Sequence, residues 1–162
     1  FADTDPRISA VAMCRDLPII VLRSLGKFFG RAGLRLGFAI AAPETTQRIK
    51  AALGPWPCSG PALAIGRAAL LDDRWADRTR KNLQRQAERL DAILAEAEWS
   101  AAGGTTLFRL ARHPEARSRH AALAREHIWC RSFDWADDLV RFGLPPDDAG
   151  LDRLSRVLRS CK

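Results

Sequence analysis

Two short apolar runs, LPIIVLRS (17–24) and LGFAIAA (36–42), enclose a segment that suits neither a packed helix nor a solvated loop. Residues 24–38 read SLGKFFGRAGLRLGF, with four glycines, two arginines and one lysine among leucines and phenylalanines. The β-branched run bounded by Pro18 and by glycine predicts a buried strand over 17–24, and LGFAIAA predicts a second over 36–42. Glycine weakens a helix by about 1 kcal/mol relative to alanine. The connection is therefore expected to be an ordered loop whose bare backbone, at Gly30, Gly33 and Gly37, lets a ligand come close.

Lys27 follows Ser24 by three residues and has Leu25, Phe28 and Phe29 as neighbours. Apolar surroundings disfavour a charged amine, so a neutral, nucleophilic amine is expected there. Such an amine forms a Schiff base with an aldehyde. Ser24 and Arg35 are phosphate-binding types, one a hydroxyl donor and the other a bidentate guanidinium. An aldehyde and a phosphate on one molecule describe pyridoxal phosphate. Two other readings fit the same residues. One is a surface loop whose lysine snorkels into water. The other is a hydrolase in which the serine of S-x-x-K attacks and the lysine assists. The hydrolase reading lacks its SDN and KTG partners here and gives Arg35 and the glycines no role.

Further along, Pro43 opens a helix with Glu44 in its first turn, and GPWPCSGP (54–61), with three prolines and two glycines, stops it. A second helix starts at Pro61. The longest helical pattern runs from Asp73 to Glu98 on Trp75, Leu83, Ala87, Leu90, Ile93, Leu94 and Ala97, and Gly103-Gly104 ends that region. Strands are expected at 105–111, 128–133 and 139–144, with helices at 114–127 and 147–160. This order is a mixed α/β arrangement with a hinge at 54–61 between two lobes. Trp56 reads as a packing anchor at the hinge, and Trp129 and Trp135 as core. His113, His120 and His127 recur every seven residues, too far apart along a helix to share one metal, and read as surface or interface residues. Asp134, Asp137 and Asp138 read as a polar turn, with a divalent-cation site as the other possibility. Arg141 alternates with apolar neighbours and, on spacing alone, fits an edge position in a surface ion pair.

The chain of 162 residues fits one domain or the larger part of one, and its 47% hydrophobic content belongs to a globular protein. Apolar runs are far shorter than the ~20 residues of a membrane span, and no secretory signal is visible. Cys14, Cys58, Cys130 and Cys161 have no CxxC or nearby Cys/His spacing, so reduced thiols in a cytoplasmic protein are expected rather than a zinc site. The net charge of +7 comes from 26 basic and 19 acidic residues mixed along helices, as in DDRWADRTRKNLQRQAERLD. That pattern is a solvated arginine-rich surface rather than a nucleic-acid-binding tract, and it is compatible with a basic funnel for an anionic small molecule. Opening on Phe1 rather than methionine, the sequence reads as starting inside a longer protein.

SLGKFFGRAGLRLGFAIA resembles the lysine segment of fold-type I pyridoxal-phosphate enzymes of the histidinol-phosphate aminotransferase branch. LGPWPCSGPALAIGRAAL (53–70), GGTTLFRL (103–110) and VRFGLP (140–145) resemble the threonine-phosphate decarboxylases of cobalamin synthesis within that branch. The opening FADTDP is similar to the stretch adjoining that family's Asp-Glu-Ala-Phe element, so the resemblance covers essentially the whole chain. It implies an α/β fold: residues 1–53 as the C-terminal part of the cofactor-binding large domain, 54–98 as interdomain helices, and 99–162 as a small C-terminal α/β domain. It implies Lys27 as the Schiff-base lysine, Ser24 and Arg35 as phosphate ligands, and Arg141 and Arg131 as substrate-binding cations. Phe1 would be the aromatic position just after the family's Asp-Glu-Ala. The family's ring-binding aspartate, its asparagine and its phosphate loop would lie before Phe1. Arg31 departs from the family's usual apolar residue, which puts a second charge near the phosphate or simply on the surface.

The implied activity is pyridoxal-phosphate-dependent decarboxylation of L-threonine O-3-phosphate to (R)-1-amino-2-propanol O-2-phosphate, in a cytoplasmic homodimer acting on a small anionic amino-acid phosphate. A histidinol-phosphate-type aminotransferase shares nearly all of the same residues. A non-catalytic fragment that folds without binding cofactor is the alternative from another class.

Overall fold

The apolar runs that flank the lysine segment pair with each other. Val21–Ser24 (β1) and Gly37–Ile40 (β2) form an antiparallel ribbon with Val21 opposite Ile40 and Ser24 opposite Gly37. The structure is a computed structural model describing residues 2–160, so Phe1 and Cys161 lie outside the described residues. It divides into two units, Phe1–Asp77 and Arg78–Lys162.

In the first unit the strands are shorter than their apolar runs. Pro18 has no N–H to give a ladder, and the chain instead turns through 3-10 geometry at Val11–Arg15, with Leu17 donating to the Met13 carbonyl. The ribbon is also not the buried one expected, because Leu22 is 78% exposed. Among the described residues this sheet has two strands, and the alternation of the pleat turns Leu22 away from the unit's interior. Burial lies instead in the connection: Leu25, Phe28, Phe29 and Leu36 are core residues. Pro43–Leu53 (α1) starts with proline in its first turn, where the missing N–H leaves no bond unmade. Gly60–Leu71 (α2) is capped by Ser59, whose hydroxyl accepts from the Ala62 N–H at 3.3 Å. Asp73–Glu96 (α3) begins on Asp72, which accepts from Trp75 N–H at 2.9 Å. Its Trp75 stacks on Phe29 at 5.6 Å and meets Phe28 edge-on at 5.5 Å.

The second unit is an antiparallel sheet of Ser100–Thr105 (β3), Phe108–Arg112 (β4), Arg131–Phe133 (β5) and Ala136–Gly143 (β6), in the order β3-β4-β6-β5. Ala116–Arg125 (α4) and Asp148–Ser160 (α5) complete it. Leu151, Leu154 and Leu158, spaced at helical period along α5, join Leu90, Leu94, Trp99, Leu123, Val140 and Phe142 in one core. Asp91 takes both Nε and Nη2 of Arg109, tying β4 to α3 at 2.7 and 3.0 Å. Asp137 pairs with Arg117 at 2.5 Å and Asp138 with Arg112, so two carboxylates of the expected polar turn are held by arginines.

Several expectations are corrected here. Gly103-Gly104 does not end a region; it lies inside β3, beside a bulge between Ala101 and Gly103. A Cβ at Gly104 would stand 2.5 Å from the Phe108 carbonyl oxygen, and its φ of +141° is open to glycine. Trp56 (91% exposed), Trp129 (83%) and Trp135 (74%) are not core. Trp56 rides on a proline-flanked link outside any helix, and Trp135 stands at the tip of the β5–β6 turn, tilted against Phe133 at 5.0 Å. Trp129 precedes β5, its ring edge-on to His120 at 5.4 Å. His113 is buried rather than on the surface, because it precedes α4 and packs on Trp99. Among the described residues no helix is long and apolar enough to cross a membrane.

Gly104→Ala is expected to destabilise the second unit by about 2–3 kcal/mol through strain and the carbonyl clash. Gly143→Ala, where a Cβ meets nothing within 4 Å, is expected to change stability by less than about 1 kcal/mol in the same denaturant titration. Burial lowers the His113 pKa from 6.5, with Arg119 adding to the effect and Glu115 and Glu98 opposing it. Its Nδ1 also accepts the Glu115 N–H at 3.0 Å, which the protonated ring could not do. The unfolded chain therefore binds a proton on His113 at a pH where the folded one does not. The stability that neutral His113 contributes is complete above pH 6.5 and is lost as pH falls below it. Melts at pH 7.5 and 5.5 are expected to show this acid loss in the native sequence and a smaller one in His113→Gln.

Candidate functional site

Ser24 ends β1, Gly37 begins β2, and the chain between them returns on itself, with the Leu25 N–H reaching the Leu36 carbonyl at 3.4 Å. Leu25 and Leu36 turn inward against α2. There Gly66 leaves the space: a Cβ on it would lie 2.4 Å from Leu36 Cδ2 and 3.2 Å from Leu25 Cδ1. With both apolar stems held inward, the polar side chains between them stay outside. Ser24, Lys27, Arg31 and Arg35, with Gly26, Ala32, Leu36 and Gly37, line a hollow of about 330 Å³.

Three sequence-predicted residues thus meet at one hollow. Ser24 Oγ accepts the Gly26 N–H at 3.0 Å, which leaves its own hydrogen free to donate outward. Arg35 follows the 3-10 turn Ala32–Leu34 in left-handed geometry, φ 51°, and its Nη1 donates to the Ala32 carbonyl at 3.2 Å. A non-glycine residue in that region costs about 1–2 kcal/mol, so the position keeps its guanidinium at the expense of backbone comfort. Lys27 is not held in apolar surroundings as the sequence suggested. Its side chain is exposed, while the adjacent Phe28 and Phe29 turn into the aromatic cluster with Trp75. Of the glycines expected to face a ligand, Gly37 lines the hollow; Gly30 and Gly33 do not, and Gly26 stands there instead.

Arg31, left open by the sequence between phosphate and surface, lines the hollow as well. The signal was visible as a charge four residues before Arg35, but only the intervening 3-10 turn brings both arginines to one wall. Among the described residues, no carboxylate pairs with Lys27, Arg31 or Arg35. The chemistry of this wall is therefore three cations and a hydroxyl, all donors, suited to a dianionic phosphate beside an amine.

Arg131 and Arg141 belong to the second unit. They are register partners across β5 and β6, so both project from one face of the sheet. Arg141 is half-buried on a strand flanked by β4 and β5, not at an edge, and no carboxylate of the described residues pairs with it. Its Cζ sits 5.1 Å from the Phe108 ring centroid, and Arg131 Cζ sits 5.6 Å from that of Phe133. Like charges directly opposite on a sheet repel. An anion bound between them would reverse that sign. Cys130, close to this pair in sequence, is buried, and burial pushes its thiol up to about 11, which removes it as a nucleophile at neutral pH.

Comparison with known proteins gives these features a context. The family model for aminotransferase class I and II matches residues 1–158. The chain is 43% identical over 159 residues to the threonine-phosphate decarboxylase of Sinorhizobium sp, covering 98% of this chain and 47% of that protein. It is 39% identical over 163 residues to the threonine-phosphate decarboxylase of Pseudomonas aeruginosa, covering 100% of this chain and 49% of that one. The chain thus spans about half the length of the curated relatives it matches. Its fold superposes with a TM-score of 0.83 and 22% identity on the crystal structure of histidinol-phosphate aminotransferase from Sinorhizobium meliloti in complex with pyridoxal-5'-phosphate, covering 99% of this chain and 47% of that chain. With a family match running almost from end to end, and with a lysine and phosphate-type donors gathered at one hollow, the chain belongs to the aminotransferase class I and II family.

Proposed function

We propose that the protein is a pyridoxal-phosphate-dependent lyase that decarboxylates L-threonine O-3-phosphate to (R)-1-amino-2-propanol O-2-phosphate in cobalamin synthesis. The observation that carries this reading is the shared hollow of Lys27, Ser24 and Arg35. The substrate choice is supported by two relatives of that name at 43% and 39% identity along the whole chain. By the same resemblance the protein works as a cytoplasmic homodimer. Residues 1–53 then serve the cofactor, 54–98 link the domains, and 99–162 form the small domain.

The residues present fit the cofactor, because the wall of the hollow offers only donors to a phosphate and sets one amine beside them. Ser24 and Arg35 would hold the phosphate, the hydroxyl by its free hydrogen and the guanidinium through the donors that Ala32 leaves unused. Lys27 Nζ would hold the aldehyde carbon. Bound pyridoxal phosphate supplies an electron-poor ring that accepts the electron pair left behind when carbon dioxide departs. Lys27 Nζ would also deliver the proton that the substrate carbon takes up in place of its carboxylate. Its exposure leaves that amine free to move. Arg131 and Arg141 are assigned to the substrate's acid groups, because two like charges opposite one another on the sheet would gain from an anion bound between them. A histidinol-phosphate-type aminotransferase would use the same residues with a different bond broken.

Incubating the purified full-length protein with pyridoxal phosphate and O-phosphothreonine is expected to release carbon dioxide with formation of an aminopropanol phosphate. Keto-acid formation without carbon dioxide would favour the aminotransferase. Arg141→Ala is expected to raise KM for phosphothreonine by roughly 10- to 100-fold, the scale of a lost charge-assisted contact. Arg35→Gly is expected to leave thermal stability equal or higher, since glycine relieves the left-handed backbone, while weakening cofactor binding at least about tenfold in an absorbance titration.

A further inference from the structure

We propose that Arg31 is a second cation at the phosphate end of the Lys27 hollow, binding the same phosphate as Ser24 and Arg35 and setting how tightly the cofactor is retained. The inference rests on the cofactor reading above and extends it to a residue that reading does not use.

Three observations converge on Arg31. It lines the hollow together with Ser24, Lys27 and Arg35, and it also borders a second hollow lined by Phe29, Asp72 and Trp75. Its backbone is fixed at both sides: its N–H donates to the Leu25 carbonyl at 2.9 Å, and its carbonyl accepts from Leu34 at 3.1 Å. The side chain thus starts from an anchored point at the head of the 3-10 turn Ala32–Leu34. Finally, no hydrogen bond or ion pair within the described residues occupies its guanidinium, which leaves the planar fork available to an anion.

Three positive charges around one small concavity repel each other, and a concave wall focuses their field on the space they share. A phosphate dianion entering that space removes the repulsion and meets two guanidinium forks on one wall. Lys27 serves the aldehyde, so the two arginines share the phosphate, with the Ser24 hydroxyl as a third donor. Because Arg31 is exposed and its fixed groups are backbone groups, its side chain can be replaced without disturbing the fold.

The test is an absorbance titration of the purified full-length protein with pyridoxal phosphate and, separately, with pyridoxal, which has the aldehyde but no phosphate. Arg31→Leu and Arg31→Gln are both expected to raise Kd for pyridoxal phosphate by roughly 10- to 100-fold. Both are expected to leave pyridoxal binding within about twofold and to flatten the salt dependence of pyridoxal phosphate binding. Unchanged pyridoxal phosphate affinity in either variant would overturn the assignment. So would an equal loss for both ligands, which would mark a structural role. Should the native protein give no absorbance band that Lys27→Ala abolishes, the cofactor reading itself falls and takes this inference with it. A Lys27-dependent band that Arg31 variants leave untouched refutes only the role of Arg31.

Discussion

The contact of Gly66 with Leu25 and Leu36 is the constraint on which the candidate site depends. Both leucines are stems of the loop between β1 and β2, and both are almost wholly buried. Pinning two apolar stems against a helix that carries no side chain at the point of contact fixes where the loop enters and leaves. The pairing of Ser24 with Gly37 then closes its base. Once the stems point inward and Phe28 and Phe29 follow them to Trp75, Ser24, Lys27, Arg31 and Arg35 are left to face the hollow. A chemistry-bearing surface is thus produced by apolar packing beneath it.

Electrostatics completes what packing begins. Like charges are gathered at two sites: lysine and two arginines at the hollow of the first unit, and Arg131 opposite Arg141 in the second. Other arginines of the molecule are held by carboxylates, among them Arg109 by Asp91, Arg112 by Asp138 and Arg117 by Asp137. Arg35 keeps its side chain at a left-handed backbone position that glycine would occupy at less cost.

Much of this was legible in the sequence, and the failures have physical causes. The helices could be read from their opening prolines and periods: Pro43, Pro61 and the leucines of α5 each act locally, and local signals survive without knowledge of the fold. The meeting of Ser24, Lys27 and Arg35 was also foreseeable, since all three lie in one short segment. Burial was less legible. Leu22, Trp56, Trp129 and Trp135 are apolar by type and exposed in place, because burial depends on what packs opposite and not on the residue alone. The same reason defeats the expectation for Lys27, whose apolar neighbours face the other way. β3 was missed because two glycines and two alanines carry little strand propensity; its pairing with β4 depends on a close backbone approach that only glycine permits. The register of Arg131 against Arg141 could not be read at all, since the bulge between Ser132 and Phe133 shifts it.

The central claim is that one amine, Lys27, stands beside a phosphate-binding wall and is the point of covalent attachment for the cofactor. Borohydride reduction of the full-length protein in the presence of pyridoxal phosphate, with peptide mapping of the product, tests it most directly. The expected result is a single pyridoxyl label on Lys27, suppressed by competing inorganic phosphate. Label on Lys50 or Lys81 in place of Lys27, or no label, would contradict the account.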